Sequence, residues 1–140
     1  MSKNAEVELK LPVIPDIELS ATKTAEVISK HMSLSEEKTG EISMAIIESC
    51  INAFEHSKTK EIYIHFIVSS DKLTIKVKDK GIGFDKSKVE IPNIENKLKT
   101  DERKRGWGLQ LITELMDTVE YDSDETGTTV TMTKKREDNE

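Results

Sequence analysis

One cysteine, three prolines and a shortage of positive charge mark this chain of 140 residues, and each scarcity removes a class of protein. A single thiol gives no disulfide framework, and Cys50, set among apolar neighbours, reads as a small core residue rather than a reactive one. The formal net charge of −6 disfavours a general nucleic-acid binder. No apolar run reaches membrane length and no signal peptide precedes the first element, so the expected setting is cytoplasmic and away from membranes. There is no internal repeat, and low complexity is confined to the charged end, a tail expected to fray from about residue 135. Charged residues at 34% against hydrophobic ones at 35% make an ordinary soluble balance, which at this length predicts one domain over residues 1–140.

The chain is organised around residues 41–56, EISMAIIESCINAFEH. Ile42, Ala45, Ile46, Ile47, Cys50, Ile51, Ala53 and Phe54 make a helix apolar nearly all round, which belongs in a core. Glu48, Asn52 and His56 recur every four residues and drift only about 40° around the axis at each step, so they form a polar stripe on that helix. Buried polar groups need partners, and a carboxylate, an amide and an imidazole in a row predict one wall of a pocket. A second wall comes from residues 73–85. Leu73, Ile75 and Val77 alternate with Thr74, Lys76 and Lys78, and Asp79 continues the apolar phase. The strand therefore delivers a carboxylate on its buried face, where Gly81 and Gly83 free the backbone to turn. An acceptor-only group in that place can read an amino group on a ligand. A third piece is RGWGLQLI at 105–112, a glycine turn opening a helix, whose free N–H groups and dipole suit phosphate. The fourth is GTTV at 127–130, a glycine and two hydroxyls entering a strand.

In chain order, residues 6–11 alternate as a first strand, and Pro12 and Pro15 bracket a turn. Asp16 is expected to cap a helix carrying Ile17, Ala21, Thr24 or Ala25, Ile28 and Met32, with His31 on its surface. Ser33 with Glu36 reads as a capping box opening the central helix, which runs to about His56. Residues 57–60 are a short connection to a strand with Ile62, Ile64, Phe66 and Val68 on one face and Tyr63, His65 and Ile67 on the other. Ser69, Ser70 and Asp71 make the hairpin into the strand that ends at Asp79. Residues 86–105, polar and holding Pro92, are expected to be a lid. A last helix over 106–117 and two closing strands, 118–123 and 127–134, complete the order β-α-α-β-β-lid-α-β-β. This predicts an α+β, two-layer α/β sandwich: a mixed, mostly antiparallel sheet with helices on one face.

Each of the four pieces is commonplace alone. In this order and these contexts they resemble the GHKL (Bergerat-fold) nucleotide-binding domain of gyrase-type ATPases, histidine kinases and their relatives. By that resemblance Glu48 and Asn52 are the N box, Asp79, Gly81 and Gly83 the first glycine box, and Gly106 and Gly108 the second. It implies ATP/ADP and Mg²⁺ as cofactors. Asn52 would offer Mg²⁺ a neutral oxygen, and Glu48 would act as the base. Asp79 would accept from the adenine amino group, Gly83 would let the base approach the backbone, and Thr128 would bond near Asp79. Gly106, Trp107 and Gly108, with Leu109 following, would present N–H groups to the phosphates, and Arg105 would meet the γ-phosphate charge.

Asn52, Ala53 and His56, the R-G-x-G-L run at 105–109, Leu115-Met116-Asp117 and G-T-T-V narrow the likeness to the bacterial anti-sigma-factor serine/threonine kinases. That resemblance implies a homodimer that holds a sigma factor in one state. In another it phosphorylates a small anti-sigma antagonist of the STAS type. Two other readings fit the same pocket: a nucleotide-gated binding module that transfers nothing, and a histidine-kinase catalytic piece. The latter needs a helix pair with a phosphoacceptor histidine, for which no segment fits before residue 33.

Overall fold

A computed structural model describes residues 5–81 and 110–137, and within residues 56–60 it describes the backbone alone. The elements are β1 (Ala5–Pro12), α1 (Glu18–His31), α2 (Glu36–His56), β2 (Ser57–Val68), β3 (Lys72–Gly81), β4 (Thr118–Asp124) and β5 (Gly127–Lys135). Residues 110–115 are helical between β3 and β4, so the described part of the last helix stops two residues short of the expected Asp117. The expected lid at 86–105 lies outside the described residues.

The five strands form one sheet in the order β1-β2-β3-β5-β4, and every described pairing is antiparallel. Alternation decides which way each strand faces. Ile62, Ile64 and Phe66 of β2, Leu73, Ile75 and Val77 of β3, and Val130 and Met132 of β5 point under the helices and are buried. Each such side chain contributes about 1.5–3 kcal/mol relative to exposure. The opposite phase faces away from the helices and is polar, with His65 Nε2 2.6 Å from Glu6 Oε1 and Lys10 Nζ 3.0 Å from Glu61 Oε2. His65, expected as an ordinary sheet residue, thus ties β1 to β2.

The helices cover the inner face. Ala21, Ala25, Ile28 and Met32 of α1 meet Ile42, Ala45, Ile46 and Cys50 in one continuous core. α2 is not apolar-buried all round, however: Met44 and Ile51 remain 49% and 40% exposed, because a helix in a two-layer sandwich has one side in solvent.

Both helix starts differ from the sequence reading. Asp16 does not cap α1; the N-cap is Ile17 with no side-chain cap, and it is the Asp16 carbonyl that accepts from the Leu19 N–H at 3.0 Å. Ser33 does not open α2. It closes α1 instead, at φ 59°, in the left-handed position of a Schellman ending with Leu34 N–H bonded to Ser29 O and Ser33 N–H to Lys30 O. The cap of α2 is Ser35, whose Oγ accepts from the Lys38 N–H at 3.1 Å. Nor is 57–60 a free connection: β2 begins at Ser57, with an irregularity in pairing between Ser57 and Ile62.

A buried cation fixes the layers against each other. Lys134 continues the inward phase of β5 and is only 6% exposed. Its ammonium donates to the Leu115 carbonyl, at the end of the last helix, and lies 3.2 Å from Glu41 Oε1 on α2.

Candidate functional site

The direction of α2 over the sheet decides where its polar stripe falls. Glu41 meets Lys134 and, two turns later, the Ser49 hydroxyl lies 3.3 Å from Met132 Sδ. α2 therefore runs toward the N-terminal end of β5, the end that carries Gly127 and Thr128. β3 is antiparallel to β5 and runs the same way as α2, with Asp79 opposite Thr128. At the end of α2 the chain passes straight into β2, and Ser57 pairs with Gly81. The last turns of α2 and the end of β3 are thus brought to one end of the sheet.

Asn52 is 8% exposed, and its Nδ2 has no hydrogen-bond partner among the described residues. An unpaired buried amide costs about 1–3 kcal/mol, a cost that a hydrogen-bond acceptor on a ligand could offset. Glu48 stands one turn earlier on the same face, half-buried, with roughly 6 Å of helix rise between the two. A carboxylate with part of its surface in solvent can receive a proton and pass it on. His56 is the last residue of α2, and its side chain lies outside the description.

Asp79 is 3% exposed, delivered inward as its place in the alternation requires. One oxygen, Oδ1, accepts the Thr128 N–H at 3.3 Å. Burial pushes its carboxyl above the ordinary range, and the Thr128 N–H draws it part of the way back. The second oxygen has no described hydrogen-bond partner and can accept from a ligand. Gly127 makes this closeness possible. At φ 149° a Cβ placed on it would stand 2.1 Å from the Asp79 carbonyl oxygen, so only glycine lets β5 come this near β3. Thr128 is 4% exposed, and its hydroxyl lies 3.0 Å from Ser123 Oγ on β4.

The structure therefore brings together Asp79, Thr128, Gly81 and the C-terminal half of α2. Gly83, Arg105, Gly106, Trp107, Gly108 and Leu109 lie outside the described residues. Ser123 was not singled out from the sequence. Its signal is available only once the β4–β5 register sets it opposite Thr128. Cys50 is buried in the core, its thiol pushed up to about 12 by burial and, secondarily, by the Glu18 charge.

The chemistry of these donors suits a purine nucleotide. Among the described residues, one carboxylate oxygen has no partner and could accept from an exocyclic amine, one buried amide could serve a phosphate or a hard cation, and one carboxylate beside that amide could take a proton. No described helix is long and apolar enough to cross a membrane.

Residues 16–134 match the family described as histidine kinase-like ATPase domain. Among curated proteins the chain is similar to the serine-protein kinase RsbW of Bacillus pumilus (strain SAFR-032), with 32% identity over 91% of this chain and 84% of that protein. It is similar also to the protein of that name from Bacillus mycoides (strain KBAB4), 33% identical over 96% of this chain and 87% of that one. Among solved structures it resembles a histidine kinase domain from the blue-light activated histidine kinase of Erythrobacter litoralis EL346. That likeness has a TM-score of 0.53 and 16% identity, and it covers 88% of this chain and 60% of the other. At that identity it speaks for the fold alone.

Proposed function

The chain belongs to the histidine kinase-like ATPase domain family, and we propose that it is an ATP-dependent protein serine/threonine kinase of a bacterial partner-switching pathway. Its acceptor is a STAS-type antagonist, and in its other state it holds a sigma factor as an anti-sigma factor. It works in the cytoplasm as a homodimer. The curated relatives, named serine-protein kinases and matched over most of both chains, support transfer to a hydroxyl rather than to a histidine. One observation carries the reading. The Ser57–Gly81 pairing sets the stripe of Glu48 and Asn52 at the same end of the sheet as the Asp79–Thr128 pair.

In this reading the free oxygen of Asp79 accepts from the 6-amino group of adenine, a group that guanine lacks at that position. The orphaned amide of Asn52 faces the triphosphate side, and Asn52 would hold Mg²⁺ through its carbonyl oxygen while its Nδ2 donates to a phosphate or water. Mg²⁺, when bound, neutralises phosphate charge and fixes the orientation of the transferring group. Glu48 takes the proton from the acceptor hydroxyl. The hydroxyl oxygen bonds to the γ-phosphorus, the bond from that phosphorus to the β,γ-bridging oxygen breaks, and ADP leaves with the bridging electron pair. Arg105 and the N–H groups of Gly106, Trp107 and Gly108 would meet the phosphates in the segment outside the described residues.

Incubation of the protein with γ-labelled ATP and a lysate of the source cell tests the proposal. Label on a small partner that survives acid supports it. Acid-labile label turns the reading to a histidine kinase. No label at all, with ATP binding measured separately, leaves the nucleotide-gated binding module.

A further inference from the structure

Ser123, Thr128 and Asp79 stand opposite one another on three neighbouring strands, β4, β5 and β3, and so form one row across the sheet at the site. Opposed residues point to the same face, and in this row that face is the inner one. Beyond Asp79 the row continues on Ile62 of β2 and Leu11 of β1, both buried. The row is therefore a polar strip of three side chains closed at one end by an apolar wall.

Within the strip the hydrogen bonds have a direction to settle. Asp79 accepts only, and it takes the Thr128 backbone N–H. The Thr128 hydroxyl has one hydrogen to give and one described partner, Ser123 Oγ at 3.0 Å. If Ser123 donates, the Thr128 hydrogen is released toward the ligand, and Thr128 presents a donor. If Ser123 were absent, the Thr128 hydroxyl would rotate freely and present either a donor or a lone pair. The two purines differ on this edge. Adenine offers an amine at position 6 and an acceptor at N1, whereas guanine and hypoxanthine offer a carbonyl at position 6 and an N–H at N1. An acceptor at Asp79 beside a donor at Thr128 matches adenine at both places.

We infer that Ser123 is a positioning residue for base selection: it holds the Thr128 hydroxyl as a donor, so that the strip rejects a purine carrying an N1–H. This rests on the adenine-nucleotide reading of Asp79 above. Ser123 touches the ligand only through Thr128. Its local frame is well fixed: Asp124 next to it closes the hairpin by accepting the Thr126 N–H at 2.7 Å and the Thr126 hydroxyl at 2.6 Å. Replacing the serine therefore leaves the turn that sets the register in place.

The test measures affinity of the full chain for ATP, inosine triphosphate and GTP in wild type, Ser123→Ala, Ser123→Thr and Asp79→Asn. Wild type is expected to prefer ATP strongly. In Ser123→Ala the ATP affinity should move by less than about threefold, while the ATP-to-inosine-triphosphate preference falls roughly tenfold, the value of one misdirected buried hydrogen bond. Ser123→Thr keeps the hydroxyl and should restore the preference. A preference unchanged in Ser123→Ala would overturn the inference while leaving the adenine reading intact. Absence of any base preference in wild type, or ATP binding undiminished in Asp79→Asn, would overturn the adenine reading and the inference with it. A general loss of structure would lower affinity for all three nucleotides together, without recovery in Ser123→Thr, and would also count against it.

Discussion

The backbone N–H of Thr128 donates to Asp79 Oδ1 at 3.3 Å, from one strand to the side chain of its neighbour. This bond holds a buried carboxylate in the core of a small sheet, and its other oxygen has no hydrogen-bond partner among the described residues. It also sets the terms on which the carboxylate is kept, because one N–H offsets only part of the desolvation.

Asp79→Asn should therefore abolish nucleotide binding without harming the unliganded fold. The folded carboxyl titrates above its ordinary value of about 3.9, so its contribution to stability is fully present below that value and is lost as pH rises through the raised one. Burial is what penalises the charged form. Thermal melts of the unliganded variant at pH 7 should give a Tm equal to or above wild type, and the wild-type gain on mild acidification should be smaller in the variant. A clearly lower Tm would mean that the charge stabilises the fold.

Asn52→Ala makes the parallel case on α2. Removal of a buried amide group that has no described partner should leave the unliganded Tm unchanged or slightly raised. Affinity for magnesium-ATP, measured by calorimetry, should fall by roughly tenfold or more, the worth of a hydrogen bond to a charged group.

Gly127→Ala should act on both stability and binding. The added Cβ meets the Asp79 carbonyl oxygen at 2.1 Å, with the backbone at φ 149°. Strained positions of this kind cost on the order of 1–3 kcal/mol, and the clash adds to that. Chemical denaturation should show the loss, and ATP affinity should fall with it because β5 must move away from Asp79.

Cys50 provides a check on the core. It is fully buried, with its thiol pushed up to about 12. Against an ordinary thiol near 8.5 the thiolate fraction at pH 7 is lower by roughly 10³-fold, and the reagent's lack of access to a buried side chain slows reaction further. Alkylation by iodoacetamide should be undetectable in the native protein and rapid in denaturant. Fast native labelling would place the C-terminal half of α2 elsewhere.

The sheet was legible because its strands alternate. Leu73, Ile75 and Val77 gave the phase of β3, and the same phase carried on to Asp79, so a buried carboxylate could be named from spacing alone. The helix starts were misread for a local reason. Two serines lie near the start of α2, and which one caps it depends on the Schellman ending of α1, which consumes Ser33. Lys134 continues the same inward phase as Val130 and Met132, but a lysine there is informative only when Glu41 and the Leu115 carbonyl are known to face it. Ser123 depends on a register that no single segment contains. Polar groups whose meaning comes from a partner on another strand are the part that local pattern does not carry.

If Glu48 serves as the base in transfer from ATP to a protein hydroxyl, its removal must cost transfer and spare nucleotide binding. The most direct measurement incubates wild type and Glu48→Gln with γ-labelled ATP and a purified STAS-type antagonist, with nucleotide binding of both proteins measured in parallel. Acid-stable label on the antagonist, reduced on the order of 10²- to 10⁴-fold in Glu48→Gln while ATP affinity holds, is the predicted result. Undiminished transfer by Glu48→Gln, or label that acid removes, would contradict it.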